Sequence, residues 1–155
     1  GAVADIQYAL QLITKEDRGD DFLIMASDTL LFSDQGIFDL RSIIEQYKRD
    51  GISRMVVYEG EAYKLSRHGI VQVDGQGMVI GFEEKPAVPK SNLVNASVHL
   101  YTSSMMKAIC QGTFEPQVES GMLIAYLYHL FPIKIERAHH RLDIGTVDDV
   151  LQANR

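Results

Sequence analysis

Short continuous apolar runs alternate along this chain with longer segments whose apolar residues recur at helical spacing, and that alternation admits few folds. Phe22-Leu23-Ile24-Met25-Ala26 is a run of the first kind, bounded by Asp20-Asp21 and Ser27-Asp28. A strand covered on both faces has this composition, although a run so short cannot be told from buried helix by period alone. Ala4 to Lys15 is of the second kind, with Ile6, Ala9, Leu10 and Ile13 on one helical face. A second helix is predicted after Asp34-Gln35-Gly36, presenting Leu40, Ile43, Ile44 and Tyr47 and stopping at Asp50-Gly51. Arg54 to Tyr58 and Leu93 to Tyr101 read as strands, Ser103 to Gln111 and Glu119 to Phe131 as helices, and Pro132 to Glu136 as a short strand. Between Gly69 and Phe82, two apolar runs flank Asp74-Gly75-Gln76-Gly77, the pattern of a hairpin. Elements in this order predict an α/β fold, a single domain over 1–155, with a mixed, mostly parallel sheet and one β-hairpin.

Composition narrows the partners. A net charge of −6 argues against a sequence-independent hold on nucleic acid, which needs clustered Lys and Arg to neutralise backbone phosphates. No apolar run approaches the roughly 20 residues of a spanning helix, and the first residues lack a basic-then-apolar signal pattern, so a cytoplasmic protein without a membrane partner is expected. The single cysteine, Cys110, excludes an internal disulfide framework. Without an electropositive neighbourhood it reads as a small core residue, and the methionines read as core filler.

Acidic residues end two apolar runs: Asp28 follows Phe22–Ala26 and Asp143 follows Leu142. Ligands of open α/β sheets collect beyond the carboxyl ends of the strands. Two carboxylates brought together there repel unless a hard cation lies between them, and Mg²⁺ is commonly held by one or two carboxylates plus substrate phosphates. Lys85, between Glu84 and Pro86, adds a cation suited to a phosphate. Each residue also has a plainer reading. Asp28 alone serves equally well as a turn or capping residue, and Asp143 as a shaper of the turn into Ile144-Gly145-Thr146, where Thr146 and Asp149 resemble a capping box. Lys85 alone is an ordinary solvated lysine. His139 and His140 read as polar loop or strand edge, since adjacent strand residues face opposite ways, and His99 as a satisfied core or edge histidine.

Three stretches resemble those of one family in order and spacing. Gly81-Phe82-Glu83-Glu84-Lys85-Pro86-Ala87-Val88-Pro89-Lys90-Ser91-Asn92 is similar to the Glu-Lys-Pro segment of the sugar-1-phosphate nucleotidyltransferases, the nucleoside-diphosphate-sugar pyrophosphorylases. Leu142 to Asp149 and Phe22 to Thr29 resemble that family's aspartate segments. The resemblance covers essentially the whole chain but only the later part of the family's catalytic domain. It implies a Rossmann-like nucleotidyltransferase fold and attack of a sugar 1-phosphate oxygen on the α-phosphorus of a nucleoside triphosphate, with pyrophosphate leaving. Carried over, Asp28 and Asp143 look like Mg²⁺ ligands and Lys85 like the cation that holds the sugar phosphate, the three forming the catalytic set. Glu84 looks like the acceptor for sugar hydroxyls and Gly69 like the glycine whose backbone lies against the sugar. Gly1 falls where the family places a glycine beneath the base, and Asn95 and Ser97 fall at substrate-facing positions.

The pattern departs from the family in places. Ser97 stands where a glycine is favoured, Arg141 where an aromatic residue is common, and Ser27-Asp28-Thr29 lacks the usual preceding glycine. Residues 1–155 open into a helix and contain no glycine-rich strand-to-helix loop, so an N-terminally incomplete fold is expected, with little activity from these residues alone. The exposed sheet edge this would leave predicts poor solubility or a homo-oligomer. A non-catalytic module that binds a sugar nucleotide or regulates a partner is the alternative reading. A cytidylyltransferase acting on a non-sugar phosphate is opposed by Glu84 and Gly69.

Overall fold

A computed structural model describes residues 2–13, 19–114, 120–144 and 151. The chain forms α1 (Ala2–Leu12), β1 (Phe22–Met25), β2 (Thr29–Ser33), β3 (Gly36–Ile37) and α2 (Arg41–Asp50). Then follow β4 (Ser53–Glu59), β5 (Gly69–Val73), β6 (Val79–Glu84) and β7 (Leu93–Tyr101). α3 (Ser103–Gln111), α4 (Ser120–Leu127), β8 (Ile133–Arg137) and β9 (His140–Asp143) complete the described elements.

The main sheet has the order β6-β5-β7-β4-β8, with β1 also pairing β7, and a second sheet has the order β3-β2-β9. The α/β class and the mixed sheet are as expected, but the balance of directions is not. Among the described ladders only β4 with β8 is parallel; the others are antiparallel. The reason is connectivity. β5 and β6 join through a tight turn, which demands antiparallel pairing, whereas β4 and β8 are separated by two helices, the long crossover a parallel pair requires. The hairpin turn is held by Asp74, whose Oδ1 accepts the N–H groups of Gln76 and Met78 at 2.9 Å each, and Gly77 takes the left-handed φ of +79° that closes it.

Side-chain alternation on the central strands divides the core in two. On β4, Met55 and Val57 face one cluster and Val56 the other. The first cluster takes Val3 and Leu10 of α1, Met105, Met106 and Ile109 of α3, and Leu123, Ile124 and Leu127 of α4. The second takes Ile43 of α2 and Leu31 of β2. Each fully buried aliphatic side chain contributes roughly 1.5–3 kcal/mol. At the foot of β4 the guanidinium of Arg54, 1 % exposed, donates to Asp50 at 2.6 Å, to Glu136 at 3.0 Å and to the Ile52 carbonyl at 2.6 Å.

Three local readings need correction. The second helix begins at Arg41, not directly after Gly36, because Gly36-Ile37 pairs back on Phe32 and Ser33 as β3. Its stop is as read: Gly51 is left-handed at φ +70° and donates to the Tyr47 carbonyl at 2.7 Å. Cys110 is exposed, since α3 buries Met105, Met106 and Ile109 and the next residue falls off that face. Of the methionines, Met55, Met105 and Met106 are core, whereas Met25 and Met122 are exposed. Among the described residues, no helix is long and apolar enough to cross a membrane.

Candidate functional site

The site grows from β7. β4 pairs with β7 from residue 93 to residue 100, so β5 and β1 must share the opposite edge. β5 takes Leu93 and Val94, and β1 takes Val98 to Tyr101. Between them Asn95, Ala96 and Ser97 have no strand alongside. Ser97 turns left-handed at φ +58°, the conformation a glycine adopts without cost. Its N–H donates to Asn95 Oδ1 at 2.9 Å and its carbonyl accepts from Ala26 at 3.0 Å.

Below this gap lies a buried polar chain. The His99 ring sits 2.9 Å from Asn95 Oδ1 through Nε2 and 3.1 Å from the Tyr101 hydroxyl through Nδ1. The amide oxygen can only accept, so Nε2 carries the proton and the Tyr101 hydroxyl donates to Nδ1. Burial lowers the His99 pKa to about 4 and pushes that of Tyr101 up. His99 is thus the satisfied core histidine expected, and it holds Asn95 in place.

Across the gap stand Glu84 and Lys85. Gly69 pairs with Glu84 in the β5–β6 ladder. A Cβ on Gly69 would stand 2.5 Å from Phe82 Cζ and 3.0 Å from Glu84 Oε2, and one on Gly121 would fall inside the Glu84 carboxylate. The carboxylate is therefore wedged between a strand glycine and the first turn of α4, where unpartnered helix N–H groups favour negative charge. Lys85 is left-handed at φ +48°, and its N–H donates to the His68 carbonyl at 3.1 Å. Left-handed conformation at two non-glycine residues, Lys85 and Ser97, is unusual, and such residues concentrate at functional sites.

The third part is the corner where β2 meets β9. Thr29 pairs with Asp143, and the Ile144 N–H donates to the Asp28 carbonyl at 2.7 Å. Positions 28 and 143, far apart in sequence, are thereby brought together at strand ends. Thr29 Oγ1 donates to Asp143 Oδ1 at 3.4 Å. The same oxygen receives Nη2 of Arg141 in a close ion pair, with Arg141 12 % exposed and Asp143 48 %. Arg141 Nη1 reaches the Asn95 carbonyl at 3.4 Å, while its Nε is buried without a hydrogen-bond partner among the described residues. Nearby, burial lowers the His68 pKa, reinforced by the Arg141 guanidinium, and burial raises that of Tyr58 against the pull of Arg141.

These parts line two connected hollows. A cavity of about 180 Å³ is bounded by Gly69, Glu84, Lys85, Asn95, Ser97, Gly121, Arg67, His68 and Arg141. One of about 420 Å³ lies among Tyr58, Gly60, Glu61, Lys64, His68, Arg141 and Asp143. His68 and Arg141 belong to both, so the hollows meet there. A hard cation fits the donor set, since Asp28 and Asp143 offer carboxylate oxygens at adjoining strand ends. Among the described residues no group of three or more His, Cys, Asp or Glu side chains could hold an ion, so further ligands would come from water or substrate phosphate, the habit of Mg²⁺.

Of the residues singled out from sequence, Gly69, Glu84, Lys85, Asn95 and Ser97 surround the smaller hollow and Asp143 the larger, with Asp28 beside Asp143. Gly1 lies outside the described residues, as do Gly145, Thr146 and Asp149. Gly121 and His68 had not been singled out as site residues. Arg141 had been noted only as a departure. His139 proves to pair with Asp34, Nδ1 to Oδ1 2.9 Å, away from both hollows.

Strand ends that bring carboxylates, a lysine and glycines around two hollows of a mixed α/β sheet belong to a fold of Rossmann-like build. The nucleotidyl transferase family description matches residues 1–155, and the chain belongs to that family, among the sugar-1-phosphate nucleotidyltransferases. It is 31 % identical over 152 residues to a bifunctional protein GlmU from Methanococcus aeolicus, covering 95 % of this chain and 34 % of that protein. It is 27 % identical over 142 residues to a glucose-1-phosphate thymidylyltransferase from Streptomyces antibioticus, covering 88 % and 38 %. The chain thus spans little more than a third of these relatives. Among solved structures, a UDP-glucose pyrophosphorylase complexed with UDP-glucose superposes with a TM-score of 0.78 over 99 % of this chain and 60 % of that one, at 18 % identity. UTP-bound UGPase from Acinetobacter baumannii superposes with a TM-score of 0.76, at 22 % identity, over 99 % and 54 %. At such identities these structures speak for the fold.

Proposed function

We propose that this chain supplies the sugar-phosphate pocket and the cation corner of a Mg²⁺-dependent sugar-1-phosphate nucleotidyltransferase. The observation that carries the reading is the convergence of Glu84, Lys85, Asn95 and Ser97 on one small hollow, with Asp28 and Asp143 at neighbouring strand ends. Glu84 accepts hydrogen bonds from sugar hydroxyls, and the bare main chain at Gly69 and Gly121 lets the Glu84 carboxylate and Phe82 pack against it beside the hollow. Lys85 neutralises the phosphate whose oxygen attacks the α-phosphorus. As that oxygen–phosphorus bond forms, the bond to pyrophosphate breaks, and the chain's contribution is position and charge balance with no covalent step of its own. When bound between Asp28 and Asp143, Mg²⁺ supplies Lewis-acid neutralisation of the triphosphate oxygens.

The test is pyrophosphate release by the intact protein over a panel of sugar 1-phosphates and nucleoside triphosphates, repeated with Asp28→Asn and Asp143→Asn. Thermal shifts with sugar 1-phosphates are followed in parallel. Turnover that collapses in both variants while sugar-phosphate stabilisation persists supports the assignment; near-normal turnover in either sinks it. Stabilisation by sugar nucleotides with no pyrophosphate from any pair would mark a non-catalytic binding module.

A further inference from the structure

Arg141 is the residue that joins the two hollows, and its hydrogen bonding is incomplete. Nε–H and Nη2–H form the lateral fork of a guanidinium, which matches two oxygens of one oxyanion. Asp143 occupies only the Nη2 tine with Oδ1, and Nε is left buried without an acceptor among the described residues. Nη1 makes a long contact, 3.4 Å, to the Asn95 carbonyl at the floor of the smaller hollow, and the guanidinium also reaches the Tyr58 hydroxyl. A buried donor without a partner is costly, and a half-used fork beside a cavity invites a better acceptor.

We propose that Arg141 is an exchangeable partner: without ligand it neutralises Asp143, and with ligand it gives Asp143 up to the divalent cation and turns its fork onto the phosphate held by Lys85. Phosphate satisfies Nε and Nη2 together, which the single Asp143 oxygen does not. The chain would thereby couple its two sites, because Arg141 competes with the cation for Asp143 until a phosphate draws it away. Arg141 is a positioning residue for the cation corner and a contact residue for the phosphate. The inference rests on the reading of Asp28 and Asp143 as cation ligands, and it deepens that reading by naming what holds the corner when no cation is there.

The experiment measures Mn²⁺ affinity of the intact protein by electron paramagnetic resonance of the free ion, with and without glucose 1-phosphate. Wild type is compared with Arg141→Gln, Arg141→Lys and Asp143→Asn. In wild type, glucose 1-phosphate should tighten Mn²⁺ binding by about fivefold or more, the lower end of coupling between linked sites. In Arg141→Gln, Mn²⁺ alone should bind on the order of tenfold tighter, because the cation that competes for the Asp143 carboxylate is gone, and glucose 1-phosphate should add nothing. Arg141→Lys keeps the charge but not the fork, so it should restore the weak affinity and less than half of the coupling. Unchanged affinity and coupling in Arg141→Gln overturn the exchange while leaving the corner standing. If that variant does not fold, wild-type coupling in Arg141→Lys overturns it equally. Mn²⁺ binding that is absent, or indifferent to Asp143→Asn, overturns the cation corner and the exchange with it.

Discussion

The smaller hollow and the acidic corner lie side by side, yet they are held by different means. Around Glu84 the shape is set by main chain: two glycines that leave no room for a Cβ, two residues in left-handed backbone, and a buried His99–Asn95 bond beneath. At Asp28 and Asp143 the main chain brings the residues together, but the charge of Asp143 is balanced by a single side chain, Arg141. One region is shaped before any ligand arrives, and the other waits for a charge. Stability and function should therefore be linked in the first and separable in the second.

The sharpest break in that contrast is expected at Asp28, which is exposed. Asp28→Asn should leave chemical stability within about 0.5 kcal/mol of wild type, as exposed substitutions do. Turnover should nevertheless fall on the order of 10³-fold, about 4 kcal/mol of transition-state stabilisation. Urea titration and pyrophosphate release on one preparation check both halves.

Beneath the pocket, pH is the probe. Folded His99 stays neutral down to about pH 4, whereas the unfolded imidazole takes up a proton below its ordinary 6.5. The unfolded state binds more protons between those values, so stability is lost as pH falls from 6.5 to 4, by roughly 3 kcal/mol. His99→Gln should flatten that part of the urea-midpoint profile.

Gly121→Val comes next. Its side chain must displace the Glu84 carboxylate and press on Phe82, and overpacking of this kind costs roughly 1–3 kcal/mol. Both the melting temperature and the thermal shift with sugar 1-phosphate should drop, in contrast to Asp28→Asn, where only turnover does. The smallest effect is expected at Ser97→Gly. It relieves a left-handed serine worth roughly 1–2 kcal/mol of strain but gives the unfolded chain more freedom, so a gain under about 1 kcal/mol should appear in the urea midpoint.

The same contrast governs what could be read from sequence. β7 and α3 were legible to their ends, and β4, β5, β6 and β8 to within two residues, because each carries its own apolar period or turn signal. The β3-β2-β9 sheet was not legible. β9 is the polar stretch His140-Arg141-Leu142-Asp143, and it becomes a strand only by pairing with Thr29 to Phe32, a partnership no local window contains. The left-handed backbone at Lys85 and Ser97 was equally silent, since neither is glycine, asparagine or aspartate. Gly121 looked like an ordinary glycine in an apolar helix; its meaning comes from Glu84 on another element. Arg141 stood out as an exception to a family pattern, but nothing in the sequence says that it closes on the acid two residues away. Cys110, read as a core residue for want of an electropositive neighbourhood, faces out from α3.

The shared edge of β7 has a mechanical consequence. Where two strands abut along one side of a third and leave three residues outside either ladder, the sheet carries a seam, and β4 on the far side spans it with a register shift between Met55 and Val57. A ligand seated at the seam touches both flanks at once, so its arrival should slow amide hydrogen exchange in β1 and in β5 together, two segments that make no ladder with each other.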